Sequence, residues 1–497
     1  MMNIRYIGFA AVAAVAGCAW LPSVGPDYTE PELRNPVGTL PDAGMPTSNL
    51  TATCEYEPAD KAHDDRVEIS TNQVARWWTR FEDPLLEELV EGAVSNNITY
   101  LMAQRRFEQA NWELLGTYAA YVPRIGLDGS WSRLWNHENT RAGGGSYTHY
   151  NVRNFAVDGS WEIDIFGGNR RMTEAALAQA ESIGWTVADA WLALTSEIGL
   201  TYVDFRTTQD LLDVSRTNLL LQSETYEILK SRLESGIGDE LAVNQCAYIV
   251  EQTRSKIPSL LSEEERYKNA LAILVGEMPG ALHERLKPIA NSEEKWFMPL
   301  EKISALKLDM MRGRPDVKAA ERALAAQVAR IGVAKAQWFP KLFVTGTVGW
   351  ENRHSSPLFA RDSFMASLGP SISWPIFQGG AVYSKVKETE ARMAELMLAY
   401  ELALDKAYEE VRNCYSSYTQ EYHRYKALGA AVKAASDAVL ISRDLYKNGL
   451  KDFNNVLDAQ RSRLQLQYDY VQSRGNITRK LIMLYRALGG GLSSVEE

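Results

Sequence analysis

Four stretches of this chain alternate between apolar residues and mostly polar or small ones. Ile125, Leu127, Gly129 and Trp131 take turns with Gly126, Asp128, Ser130 and Ser132, and Phe155, Val157, Gly159, Trp161, Ile163 and Ile165 with Ala156, Asp158, Ser160, Glu162 and Asp164. Leu342, Val344, Gly346 and Val348 alternate in the same way with Phe343, Thr345, Thr347 and Gly349, as do Phe364, Ala366, Leu368 and Ile372 with Met365, Ser367, Gly369 and Ser371. A period of two gives each stretch two unlike faces, as in a β-strand between different surroundings. Each runs for about ten residues, the length with which a tilted strand crosses a bilayer. Trp135, Trp161, Trp350 and Trp374 stand at strand ends, where membrane barrels carry aromatic girdles. Ser, Thr, Gly and Asp would fill a soluble sandwich core poorly, so a membrane barrel is the better reading, with Asp128, Asp158, Glu162 and Asp164 facing its lumen. The smallest such barrels need about eight strands, so one with four strands per chain must be shared between chains.

After each strand pair the period becomes helical. Leu177, Trp191, Ile198, Phe205, Leu212, Leu219, Tyr226 and Leu233 fall on one sevenfold line, broken at Gly184. Met397, Leu404, Val411, Tyr418, Tyr425, Val432, Val439 and Tyr446 form a second, unbroken one. Such a repeat predicts long helices supercoiled against neighbours. Outgoing helices of about 65 residues would be on the order of 100 Å long, beyond any compact domain. Each line stops three residues before a glycine, and Gly236-Ile237-Gly238-Asp239 and Gly449-Leu450-Lys451-Asp452 read as tight turns. In each, glycine closes one helix and aspartate caps the next. Returning helices are expected from about 240 to 276 and from about 453 to 488.

The matching order of elements exposes a duplication. Tyr121-Val122-Pro123-Arg124 answers Trp338-Phe339-Pro340-Lys341, and the run from Trp161 to Gly168 answers that from Trp374 to Gly380, about 210 residues on. Before the first repeat, seven of the 18 prolines crowd between Ala19 and Ser70, which predicts an extended arm. The chain is thus expected to divide into a signal segment (1–17), a lipidated arm (18–70), a first repeat (71–280), an equatorial linker (281–312), a second repeat (313–488) and a tail (489–497). The signal is Arg5 followed by an apolar run from Tyr6 to Ala16, too short to span a bilayer as a helix. It ends in Val15-Ala16-Gly17-Cys18, which resembles a bacterial lipobox. That resemblance implies a diacylglycerol and an N-acyl chain on Cys18, and Ala19 in place of aspartate implies an outer-membrane destination. Cys54, Cys246 and Cys414 match no metal spacing and suit no disulfide framework; Cys246 and Cys414 read as small apolar packing residues on helices.

Charge and chemistry narrow the function by exclusion. A net charge of −10 without a basic cluster disfavours nucleic acid as a partner. The six histidines are scattered with no metal pair at helical spacing, and Gly143-Gly144-Gly145 lacks the strand-to-helix context of a phosphate loop. No catalytic constellation stands out, so neither an enzyme nor a cofactor is expected beyond the covalent lipid.

Several motifs carry a more specific likeness. They are Arg314-Pro315-Asp316-Val317 with Ala319-Ala320-Glu321-Arg322, Ile331-Gly332-Val333-Ala334, Phe339-Pro340, the corners at Gly167-Gly168 and Gly379-Gly380, Val456-Leu457-Asp458-Ala459-Gln460-Arg461, and Val24-Gly25-Pro26-Asp27-Tyr28. Each also has a plain local reading: proline in a first helical turn, proline ending a helix, glycine turning a corner, and an intrahelical ion pair. Together they resemble the TolC-like outer-membrane factors, over the whole mature chain, and especially the lipoprotein branch serving resistance-nodulation-division (RND) pumps. The resemblance implies a mainly α homotrimer in the outer membrane, with a helical periplasmic tunnel continuous with a shared 12-stranded β-barrel. It implies as partners a periplasmic adaptor, an inner-membrane RND-type pump and outer-membrane lipids. It makes Asp458 and Arg461 gate residues, and Gly236, Asp239, Gly449 and Asp452 adaptor-contact tips. A type I protein secretion channel and a periplasmic coiled-coil spacer are the competing readings, and the spacer leaves the four amphipathic strands unexplained.

Overall fold

The structure, a computed structural model, describes residues 23–31, 76–136, 148–287, 309–352 and 357–489. Cys18, Cys54, most of the arm, most of the 281–312 linker and nearly all of the tail lie outside the described residues.

The elements follow the two halves in matching order. The first half holds α1 (Pro84–Asn96), α2 (Ile98–Tyr118), β1 (Arg124–Asn136), β2 (Thr148–Ile163), α3 (Gly168–Glu234) and α4 (Glu240–Val275). The second holds α5 (Pro315–Ala336), β3 (Lys341–Asn352), β4 (Phe364–Ser373), α6 (Ala381–Lys447) and α7 (Phe453–Ala487). Both outgoing helices, α3 and α6, have 67 residues. Helix α1 starts as its sequence dictates, with Pro84 in the first turn and the Asp83 carboxylate accepting from the Leu85 N–H at 3.0 Å.

The strands form one antiparallel sheet in the order β1-β2-β3-β4. Strand β2 ends at Ile163, two residues short of the expected Ile165, where the Ile165 N–H turns back to the Ile163 carbonyl. The flanking strands explain the stop. Arg124 opens β1 directly after Pro123, and Lys341 opens β3 directly after Pro340. Neither proline has an N–H with which to extend the ladder.

The described residues form two compact units, each drawing on both halves of the sequence. The first comprises 23–31, 106–136, 148–184, 319–352 and 357–401; the second comprises 76–105, 185–287, 309–318 and 402–489. The repeats are therefore not separate domains. In the first unit, α2, α3, α5 and α6 run beside one another. Gly184, the break in the first sevenfold line, leaves room for Phe107 of α2, which an added Cβ would meet at 3.1 Å. Ser182 donates to the Ala319 carbonyl at 2.8 Å and Gln327 to the Thr389 carbonyl at 3.1 Å, tying α3 to α5 and α5 to α6.

The second unit holds the main apolar core. Trp77, Leu86, Leu89, Ile198, Tyr202, Phe205, Leu271, Val411, Tyr418, Leu481 and Tyr485 are all buried in it. The sevenfold lines supply its inner side, as their period requires. A smaller cluster gathers the ends of all four long helices: Leu229, Val243, Cys246, Ile249, Phe453, Val456 and Leu457 are buried in it, and Tyr446 of α6 packs against them. Cys246 is fully buried, as a packing residue should be, and burial pushes its thiol up to about 11.

Candidate functional site

The pairing register assembles the alternating stretches into two continuous faces. Trp131 pairs with Arg153, Leu127 with Val157 and Ile125 with Gly159; Val157 in turn pairs with Val348, and Val348 with Ala366. In a single chain most of this apolar face is bare, with Ile125 75% exposed and Leu368 82%, and only at the hairpin end does Phe359 pack edge-on against Phe155 and Trp350. Contiguous apolar surface of this kind marks contact with lipid or another chain. Trp135 and Trp350 stand on it at the hairpin end and Trp161 at the helix end, where Trp374 directly follows β4. The lower pair is fastened alike in both halves, Trp161 donating to the Tyr121 carbonyl at 3.1 Å and Trp374 to the Trp338 carbonyl at 3.0 Å.

The opposite face is polar. Asp158 lies level with Gly126 and Thr347, whose hydroxyl donates to it at 2.5 Å. Asp128 lies level with Ala156, and Glu162 meets Lys341 at 3.1 Å. Asp164 does not belong to this face, contrary to expectation. It follows the last residue of β2, is buried, and accepts from the Arg170 N–H at 2.9 Å, so it secures the strand-to-helix corner. The polar rows of the four strands carry four carboxylates, Asp128, Asp158, Glu162 and Glu351, against two cations, Arg124 and Lys341.

At the far ends of the long helices the two turns are built alike. Gly236, at φ +74°, closes α3: its N–H donates to the Leu233 carbonyl at 2.9 Å and that of Ile237 to the Arg232 carbonyl at 3.1 Å. Gly449, at φ +70°, closes α6 with bonds from its own N–H to Tyr446 at 3.0 Å and from Leu450 to Leu445 at 2.9 Å. Both are Schellman ends, which need a left-handed residue and so favour glycine. The caps differ. The Asp239 carboxylate accepts from the Leu241 N–H at 2.9 Å, whereas the Asp452 side chain makes no cap bond, correcting the expectation of matched aspartate caps. At that cap the Asp452 backbone carbonyl accepts instead, from both the N–H and the side-chain amide of Asn455 at 3.2 Å.

Asp458 and Arg461 lie one turn into α7. Their side chains meet at 3.4 Å and are largely exposed, while the neighbouring Val456 and Leu457 are buried. The Arg461 guanidinium also lies over the Tyr248 ring of α4, 5.1 Å from its centroid. Further along α7 a polar seam faces α3. Ser215 bonds Tyr468, and Asn218 donates to Gln467 and accepts from Arg463, both at 3.0 Å. Burial lowers the Arg463 pKa.

Two tertiary roles went unread in the sequence. Pro315 does open α5, but Arg314 before it also grips three elements. It holds Asp316 at 3.0 and 2.9 Å, Glu410 of α6 at 2.8 Å and the Ala487 carbonyl ending α7 at 2.6 Å. The other is the seat of residues 23–31. Gly25, at φ +112°, presses on Gly332 of α5 so closely that a Cβ would lie 2.5 Å from the Gly332 Cα. Arg171 reaches Asp27 at 2.5 Å, and Tyr28 donates to Glu321 at 3.4 Å. The glycines at 25 and 332, on which two motifs turn, were the only sequence signal for this contact.

Comparison with known proteins agrees with this geometry. The family model for outer membrane efflux protein matches twice, over residues 89–277 and 309–490. Nodulation protein T of Rhizobium leguminosarum bv. trifolii is 28% identical over 97% of this chain and 96% of its own length. The toluene efflux pump outer membrane protein TtgF of Pseudomonas putida is 26% identical over 99% of this chain and 98% of its own. The solved structure of the outer-membrane channel OprN superposes with a TM-score of 0.82 at 27% identity, covering 94% of this chain and 99% of that one. This is a family of channels rather than enzymes. Its double match falls on the two halves that carry the bare-faced sheet and the long helical hairpins, and the chain therefore belongs to the outer membrane efflux protein family, as a TolC-like channel component of an efflux system in the outer membrane.

Proposed function

We propose that three copies of this chain close a 12-stranded barrel whose helices continue as a periplasmic tunnel, and that the assembly passes cargo from an adaptor and an RND-type inner-membrane pump. The observation that carries this reading is the open sheet: four strands, a bare apolar face and, among the described residues, edges at β1 and β4 without a strand partner. In hydrocarbon such edges are tolerated only when closed against another strand. No catalytic step or cofactor enters the reading. Trimers that migrate as heat-modifiable species in outer-membrane fractions are the expected result, and a monomer in those fractions would sink it.

The lipid anchor belongs to the same proposal. Ser23 packs at the Gly167 corner below the sheet, where a Cβ on Gly167 would come within 2.7 Å of it. Five residues reach at most about 17 Å, so acyl chains on Cys18 would enter the periplasmic leaflet beside the barrel. The turns at Gly236, Asp239, Gly449 and Asp452 are then the contact surface for the adaptor.

We assign the gate to Asp458 and Arg461. Within one chain they form an exposed pair worth a few tenths of a kcal/mol at most, roughly the value of other helical pairs at this spacing. Their exposure leaves both free to bond a neighbouring copy, and the adaptor would open the end by favouring the state in which those bonds are broken. Replacing both (Asp458→Ala with Arg461→Ala) should raise single-channel conductance in planar bilayers. Unchanged conductance would remove the gate from these residues.

A further inference from the structure

We propose that the membrane face of the sheet carries a binding site for a phosphorylated lipid headgroup of the outer leaflet, formed by Arg133 and Arg153 between Trp131 and Trp135. The proposal rests on the barrel reading above, which turns this face toward lipid.

The register places the residues. Along β1 the outward row reads Ile125, Leu127, Gly129, Trp131, Arg133 and Trp135; along β2 it reads Ile163, Trp161, Gly159, Val157, Phe155, Arg153, Asn151 and His149. Everything below Trp131 and Arg153 is apolar or glycine. From Ile163 to Phe155 the row covers about 26 Å of strand, which a tilt of about 40° reduces to roughly 20 Å of height, near the ~25 Å apolar band of such barrels. The arginines begin where that band stops. They stand at the hairpin end of the sheet, opposite the end that joins the helices, and hence at the outer-leaflet headgroups.

Three observations make this a site for an anion. The outward rows of all four strands contain no carboxylate, whereas the inward rows hold four. Among the described residues neither Arg133 nor Arg153 has a carboxylate partner, although guanidinium groups elsewhere in the chain pair readily. Trp131 is level with Arg153, and Arg133 with Asn151, so the two arginines are diagonal neighbours. Cα atoms so related lie about 7–8 Å apart, from which two forks can converge on one phosphate. The Arg133 guanidinium already lies over the Trp135 ring, 5.5 Å from its centroid, and Trp131 and Trp135 are 66% and 60% exposed. Tryptophan at this depth holds the headgroup boundary, and its ring orients the cation beside it.

The test uses the intact trimer purified in mild detergent, with native mass spectrometry reading retained lipid. The probes are bis-phosphorylated lipid A and its dephosphorylated form. Wild type should retain the phosphorylated probe and not the other, a comparison that needs no variant. Each of Arg133→Gln and Arg153→Gln should weaken retention about fivefold, and the pair about 25-fold, following the worth of one basic residue at an anionic bilayer surface. Inorganic phosphate should fail to displace the lipid; full displacement would make this a soluble-anion site and overturn the proposal. So would equal retention of the two probes, or of the phosphorylated probe by wild type and double variant. Conductance of the same preparations separates the two readings. A trimer that conducts without discriminating lipids refutes only the headgroup site, whereas one that neither inserts nor conducts refutes the barrel.

Discussion

His283 shows how much a single side chain here owes to its neighbours. It meets Glu265 at 2.7 Å and the Gly280 carbonyl at 2.8 Å, and the Glu265 bond, then the carbonyl, raise its pKa above the ordinary 6.5. Because the folded value is raised, the pair's contribution is complete below the unfolded pKa and disappears as pH rises through the folded one. Titrating the imidazole by NMR should give a midpoint above 6.5, and Glu265→Gln should bring it back down. An unshifted midpoint in wild type would refute the pairing. Nothing in the sequence joins Glu265 to His283 except a turn of unread geometry. The same holds for Arg314, whose motif announces a helix start but not the grip on Glu410 and on the end of α7. At Arg314 the local preference was legible and the distant partners were not.

At the scale of elements the long helices were legible because burial on one side writes a sevenfold period into the chain. The reason for the break at Gly184 and the cap at Asp452 were not, since each depends on what the chain meets: Phe107 in the first case, Asn455 in the second. The pairing of α3 with α7 was equally hidden. It rests partly on Asp210 and Arg474, both buried and bonded to each other across 264 residues of sequence. Removing one partner of a buried ion pair costs about 3–5 kcal/mol. Asp210→Ala should lower the midpoint of helical unfolding followed by circular dichroism. A loss below about 1 kcal/mol, the range of an exposed pair, would show that the contact is solvated.

For the whole molecule, alternation correctly divided the sheet into two faces, and only the pairing register could show where it ended. Glu162 proved to be paired with Lys341 and Asp164 to lie off the sheet, which leaves Asp128 and Asp158, with Glu351 nearer the hairpin end, as the other carboxylates of the inner face. The assembled pore should therefore prefer cations, and Asp128→Asn with Asp158→Asn should reduce that preference in reversal-potential measurements. Anion preference in wild type would contradict it. The duplication was legible from its motifs, but not that the two halves interlock through β2 and β3 into shared units. Equal length has a consequence of its own. Since α3 and α6 each have 67 residues and their ends share one apolar cluster, with Arg232 over the ring of Tyr446 at 5.4 Å, neither hairpin can be lengthened alone. Seven residues inserted into each helix of one would carry its turn about 10 Å past the other and break that cluster. Matched insertions of whole heptads along both hairpins would keep it, so the reach of the tunnel can change only in paired steps.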